Sequence, residues 1–132
     1  MTPFRLQIIT PDGVFYDGMT ENVIVRTTVG DKGILAHHEP YVAAITISKF
    51  KVKIDGEFRF GAISSGVIKV SKDKTVILAQ SCEWADEIDA ARAAHAQQEA
   101  EKKLSAMRKD DVDYALAEAK LKRALIRQQA KG

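Results

Sequence analysis

Glu83-Trp84-Ala85-Asp86-Glu87-Ile88-Asp89-Ala90-Ala91-Arg92-Ala93 is the stretch where this chain changes its periodicity. Before it, apolar residues recur in period two, the mark of half-buried strands. After it, Val, Thr and Phe thin out and Ala, Glu, Lys, Gln and Arg take over, all good helix formers. The change divides the chain into a β-domain, residues 1–84, and a helical tail, residues 85–132.

Working towards the N-terminus, Phe4, Leu6 and Ile8 alternate with Arg5, Gln7 and Ile9, and Pro11-Asp12-Gly13 supplies a turn. Further strands are expected over 22–27, 42–47, 50–54, 58–63, 67–70 and 75–80, punctuated by Gly and Asp. Many short strands of this kind argue for a sandwich or a barrel. One hairpin can be tested for register. A two-residue Asp55-Gly56 loop would set Val52 opposite Arg59 and so mix polar with apolar on one face. A three-residue loop pairs Ile54 with Phe58 and Val52 with Phe60, and burial of one face calls for that second register.

Working towards the C-terminus, Asp89 can cap a first helix running to about Met107. Asp110 or Asp111 can cap a second, over 112–129, with a short polar connection at 105–111. Absence of proline and of a long linker makes 83–89 a hinge candidate. The first helix is faced by Ala90, Ala91, Ala93, Ala94, Ala96 and Ala100. At roughly 25 cal/mol per Å², such small side chains anchor it weakly. The second carries two narrow apolar strips, Val112-Ala115-Leu116-Ala119-Ile126 and Tyr114-Ala117-Leu121-Leu125. One strip can pack on the first helix and the other elsewhere. A tail that changes docking partner and a hairpin fixed on the β-domain are both compatible with these facts.

Composition narrows the function. The chain has 132 residues, 45% of them hydrophobic, and a net charge of only +2, too balanced for a general nucleic-acid binder. Cys82 is the sole cysteine, so no intramolecular disulfide forms, and it reads as a small hydrophobe at a strand edge. No apolar stretch approaches the roughly 20 residues of a membrane-spanning helix, and residues 1–5 do not lead into a signal-peptide core. Direct membrane insertion is therefore not expected.

No catalytic constellation is recognisable, and the expectation is a non-enzyme without metal or required cofactor. His37, His38 and Glu39 are adjacent, but neighbours in a loop or strand point apart and do not converge on a metal. Lys120, Arg123, Arg127 and Lys131 form a basic stripe on successive turns of the second helix. It is either a solvated face suited to the helix dipole or a docking stripe for an acidic partner or a phosphate.

Three ordered segments resemble one family. Gly30-Asp31-Lys32-Gly33-Ile34-Leu35-Ala36-His37-His38-Glu39-Pro40 is similar to the G-x-x-G-I-L-P-x-H-x-P segment of the epsilon subunit of bacterial F-type ATP synthases. Ser65-Gly66-Val67-Ile68-Lys69-Val70 followed by Thr75-Val76-Ile77-Leu78-Ala79 resembles its S-G-G-x-x-x-V and V-T-I-L-A pair. Ile88–Ala93 matches the I/L-D-x-x-R-A motif that opens its helical tail. The likeness spans essentially the whole chain, departing at Ala36, where proline is common, and at Ser65, where glycine often stands.

The resemblance implies a mainly β N-terminal sandwich of two packed sheets and about ten strands, with a C-terminal antiparallel helical hairpin. It further implies a rotor subunit that binds the gamma subunit and the ring of c subunits, with Asp31 and His38 in a loop near that ring. The complex would hold it peripherally at the cytoplasmic face of the bacterial cell membrane. The tail would fold on the sandwich or extend into the catalytic alpha/beta head and inhibit ATP hydrolysis, the basic stripe meeting acidic surface there. Some members bind ATP as a regulatory ligand. The matching positions are Ile88, Asp89, Arg92, Ala93, Arg123 and Arg127, with Glu83 as a lesser contact. Glu99 stands where tight binders tend to carry a basic residue, so weak binding is expected.

Overall fold

A computed structural model describes residues 2–131. Ten strands come first: β1 Phe4–Thr10, β2 Gly13–Thr20, β3 Val23–Thr27, β4 Gly30–Ile34, β5 Tyr41–Ile45, β6 Ser48–Ile54, β7 Glu57–Ile63, β8 Gly66–Val70, β9 Lys74–Ala79 and β10 Cys82–Trp84. A 3-10 turn, Ala85–Glu87, connects them to α1, Ala90–Ala106, and α2, Tyr114–Lys131. The expected fold class is present. Strands β2, β4 and β10 were not anticipated, because Asp17-Gly18, Gly30-Asp31 and the three-residue β10 carry weak strand signals.

The strands run in the order β10-β7-β6-β3-β5-β8-β9-β1-β2, and β4 pairs with the other side of β3. β3 is the corner: it meets β6 at Val23 and Ile24 but β5 only at Thr27. The sheet thereby folds into two layers, β10-β7-β6-β3-β4 and β5-β8-β9-β1-β2. Alternate residues of both layers fill the space between: Leu6, Ile8, Val23, Val25, Phe50, Val52, Ile68 and Ile77 are all buried. Trp84 closes one end against Phe15, Tyr16 and Phe50.

The β6–β7 hairpin contradicts the register deduced from the sequence. Ile54 pairs with Glu57, Val52 with Arg59 and Lys51 with Phe60, so the loop is the two-residue Asp55-Gly56. Both loop residues have positive φ, 52° and 83°, as a tight hairpin with right-twisted strands demands. The mixed face is tolerated because Arg59 lays its guanidinium 4.3 Å over the Trp84 ring instead of leaving it unpartnered in the core. The phenylalanines lie on the outer face, where Lys51 Nζ sits 4.7 Å from the Phe58 ring and Phe60 is half exposed.

Gly61, further along β7, answers a close approach: a Cβ there would lie 2.4 Å from the Glu83 carbonyl and 2.5 Å from Phe50. Only glycine lets the Phe50 ring and β10 close on that strand.

Asp89 caps α1 as expected, its Oδ1 accepting the Arg92 N–H at 3.0 Å. In the second connection Asp111 accepts the Asp113 N–H at 2.9 Å, and the helix starts only at Tyr114, two residues later than expected. Alanines bring the helices together: Ala93 and Ala100 of α1, and Ala117 and Ala124 of α2, are the buried residues. A methyl group contributes about 0.8 kcal/mol when buried, so this seam is thin. Gln128 of α2 donates to Gln97 of α1 across it. Within the first of the two expected strips, Val112 falls before α2 and is exposed, as is Leu116, whereas Ile126 packs towards Ala62 of β7.

Candidate ligand-binding cleft between body and tail

The docked hairpin meets the outer face of β7 through a small cluster of Ala62, Ile88 and Ala93, with Ile126 and Ala130 against it. Beside this cluster opens a cleft of about 170 Å³ lined by Glu83, Glu87, Ile88, Asp89, Arg92, Ala93 and Arg127. Four elements build it. β10 supplies Glu83, the connector and its end supply Glu87, Ile88 and Asp89, α1 supplies Arg92 and Ala93, and α2 supplies Arg127. Arg127 Nη2 donates to Glu83 Oε1 at 2.8 Å, joining the last helix to the last strand.

Three carboxylates and two guanidiniums line this cleft, a set that favours a neutral group with donors over a free anion. The balance reverses next door. A groove of about 360 Å³ between the helices is lined by Lys103, Lys120, Arg123 and Arg127 against one carboxylate, Glu99. Arg127 borders both spaces. A ligand with a neutral heterocycle at one end and an anionic tail at the other matches this polarity.

Six of the seven residues inferred for ATP therefore border one cleft: Glu83, Ile88, Asp89, Arg92, Ala93 and Arg127. Arg123 stands apart in the adjoining groove. Glu87 and Lys103 were missed in the sequence, since neither belongs to the Ile88–Ala93 motif or to the stripe on α2. The stripe itself is divided. Lys120, Arg123 and Arg127 line the groove, and Lys131 lies exposed in the last turn.

Asp31 and His38 lie away from the cleft. Asp31 accepts from Arg26 at 2.8 Å, and that hydrogen bond, reinforced by the charge of Arg26, lowers its pKa below the usual carboxylate value. His38 Nδ1–H reaches the Glu39 carbonyl at 2.7 Å, and its ring packs edge-on against Tyr41. Lys32 places its Nζ 5.0 Å from the same Tyr41 ring. Among the described residues, no group of three or more His, Cys, Asp or Glu side chains is placed to hold a metal. Nor is any helix among them long and apolar enough to cross a membrane.

A second surface lies on the other layer. Ala44, Val67, Leu78 and Ile9 stand in register across β5, β8, β9 and β1. Val67 and Leu78 are exposed, as is nearby Val42. A contiguous apolar strip of this kind on a sheet face marks an interaction surface.

A sandwich with an apolar outer strip and a thinly docked helical hairpin defines a partner-binding subunit. The comparisons give that class its family. Residues 3–85 match the β-sandwich domain of the ATP synthase delta/epsilon chain, and residues 86–132 match its long α-helix domain. The ATP synthase epsilon chain of Ruminococcus albus is 46% identical over 128 residues, covering 96% of this chain and 95% of that one. The epsilon chain of Bacillus velezensis is 42% identical over 132 residues, with 100% and 99% covered. A chain in the Euglena gracilis mitochondrial ATP synthase structure (OSCP/F1/c-ring) shares the fold, with a TM-score of 0.81 at 22% identity, covering 98% of this chain and 82% of that one. The chain belongs to the ATP synthase delta/epsilon family, among the bacterial epsilon chains, and is a non-catalytic subunit.

Proposed function

We propose that this chain is a central-stalk subunit of a proton-translocating ATP synthase, whose body joins the rotor and whose tail restrains ATP hydrolysis under the influence of bound ATP. The body would meet the gamma subunit through the strip Ile9-Ala44-Val67-Leu78 and the c-ring through the end that carries Asp31 and His38. Assembly would hold the chain peripherally at the cytoplasmic face of the cell membrane. The tail would leave the body and enter the alpha/beta head, where Lys120, Arg123, Arg127 and Lys131 would meet acidic surface.

The observation that carries the ligand reading is that the cleft takes its walls from β10, α1 and α2 together. Anything bound there stabilises the compact state by mass action. The adenine would occupy the cleft near Ile88, Asp89 and Ala93, with the Asp89 carboxylate reading its amino group. The phosphates would extend towards Arg92, Arg123 and Arg127. Glu99, facing the same groove, repels polyphosphate and keeps affinity low.

A thin seam suits a two-state tail, since states must lie within a few kcal/mol for a ligand to shift them. The test is an ATP titration of the wild-type chain and of Asp89→Ala and Arg92→Ala. Affinity should fall in both variants, and an affinity indifferent to both removes the site. Co-purification with a gamma subunit tests the rotor role.

A further inference from the structure

The connector Ala85–Glu87 lies between the last strand and α1, and chain order assigns it to neither body nor tail. It touches both β7 and α2, so the question is which attachment holds it. The polar attachments come from the body. Arg59 Nη2 donates to the two Asp86 oxygens at 3.1 and 3.3 Å and to Glu87 Oε1 at 3.5 Å. The same guanidinium is seated on Trp84, which is anchored in the core by three aromatic neighbours. Ile88 closes the turn, its N–H donating to the Ala85 carbonyl at 3.3 Å. Among the described residues no side-chain hydrogen bond or ion pair ties the connector to α2, whose ion pair reaches past it to Glu83.

We propose that Arg59 is a positioning residue that makes Ala85–Glu87 part of the body, so that the tail pivots at Ile88 and Asp89. This needs no bound nucleotide and rests on the mobile tail proposed above. It has a consequence for the cleft. When the hairpin leaves, the body keeps the acidic wall, Glu83 and Glu87, and the tail carries off the basic wall, Arg92 and Arg127. Redocking then has a charge-complementary seat held ready by Arg59, rather than a loose segment that must first be ordered.

The test is amide hydrogen exchange on the full-length chain, which resolves local opening residue by residue. With Ile126→Asp, which undocks α2 from Ala62, the amides of Ala117 and Ala124 should exchange faster while that of Ile88 stays within about twofold of wild type. Ile88 accelerating in step with α2 would overturn the proposal. With Arg59→Gln, the Ile88 amide should accelerate about fivefold and Trp84 emission should shift to the red, while the β7–β10 ladder amides hold. An unmoved Ile88, or a ladder that loosens equally, would also overturn it. Asp86→Asn combined with Glu87→Gln, at exposed positions that leave the core intact, should reproduce the Ile88 effect. Arg59→Lys should restore part of it, keeping charge without the planar stack.

Discussion

Arg127 on the last helix and Glu83 on the last strand form a 2.8 Å ion pair, with the two side chains still 33% and 36% exposed. It is a direct polar tie between α2 and the sandwich. In so wet a setting it contributes only about 0.2–1 kcal/mol. Glu83→Gln and Arg127→Ala should each speed exchange of the α2 amides by a small factor. A double-mutant cycle between them should give a coupling below about 1 kcal/mol. A coupling several times larger would mean the hairpin is locked, not poised.

Gly61 and Gly33 should respond oppositely to alanine. The added methyl at Gly61 meets the Glu83 carbonyl and the Phe50 ring, so overpacking should cost about 1–3 kcal/mol in urea unfolding. At Gly33 the nearest atom is 3.7 Å away, an ordinary contact, and stability should change by less than about 0.5 kcal/mol. Equal effects would contradict the close approach described for β7.

The alternation of Leu6, Ile8, Val23 and Val25 was legible because each strand faces the core on one side and water on the other. The cap at Asp89 was legible because it depends on local chain chemistry, whereas the motif Ile88–Ala93 was legible through the family resemblance. The Asp55-Gly56 register was not. Alternation alone assigns Phe58 and Phe60 inward and Arg59 outward, whereas Trp84, 25 positions after Arg59, gives the arginine an aromatic seat that no local pattern reveals. Residues bordering the cleft could be named in advance only through the family resemblance, which left out Glu87 and included Arg123 of the adjoining groove. Its division into an acidic cleft and a basic groove arises from the crossing of α1, α2 and β10.

Cys82 should be slow to alkylate. Burial, with the charge of Glu83 adding to it, pushes its thiol pKa far above the ordinary range. The native chain should therefore react with iodoacetamide at mildly alkaline pH far more slowly than the urea-unfolded chain. The sign follows for stability as well. An unfolded thiol ionises above about pH 8.5 and the folded one does not, so stability falls as pH rises through that value. Comparable alkylation rates would contradict the burial.

Asp31 should titrate below an ordinary aspartate. The hydrogen bond from Arg26 favours the carboxylate, so its contribution is present above the unfolded value, about 3.9, and is lost as pH falls through the lowered folded value. Carboxyl-resonance titration should show the shift, and Arg26→Gln should abolish it. An unchanged Asp31 midpoint in that variant would assign the shift to another neighbour.

The most direct measurement of the central claim is hydrogen exchange of the α2 amides during an ATP titration of the full-length chain. Ligand in the cleft should slow exchange at Ala117 and Ala124 with a saturable dependence on ATP, and Asp89→Ala or Arg92→Ala should move that dependence to higher concentration. Exchange that is unaffected by ATP, or slowed equally in both variants, would contradict an ATP-held hairpin.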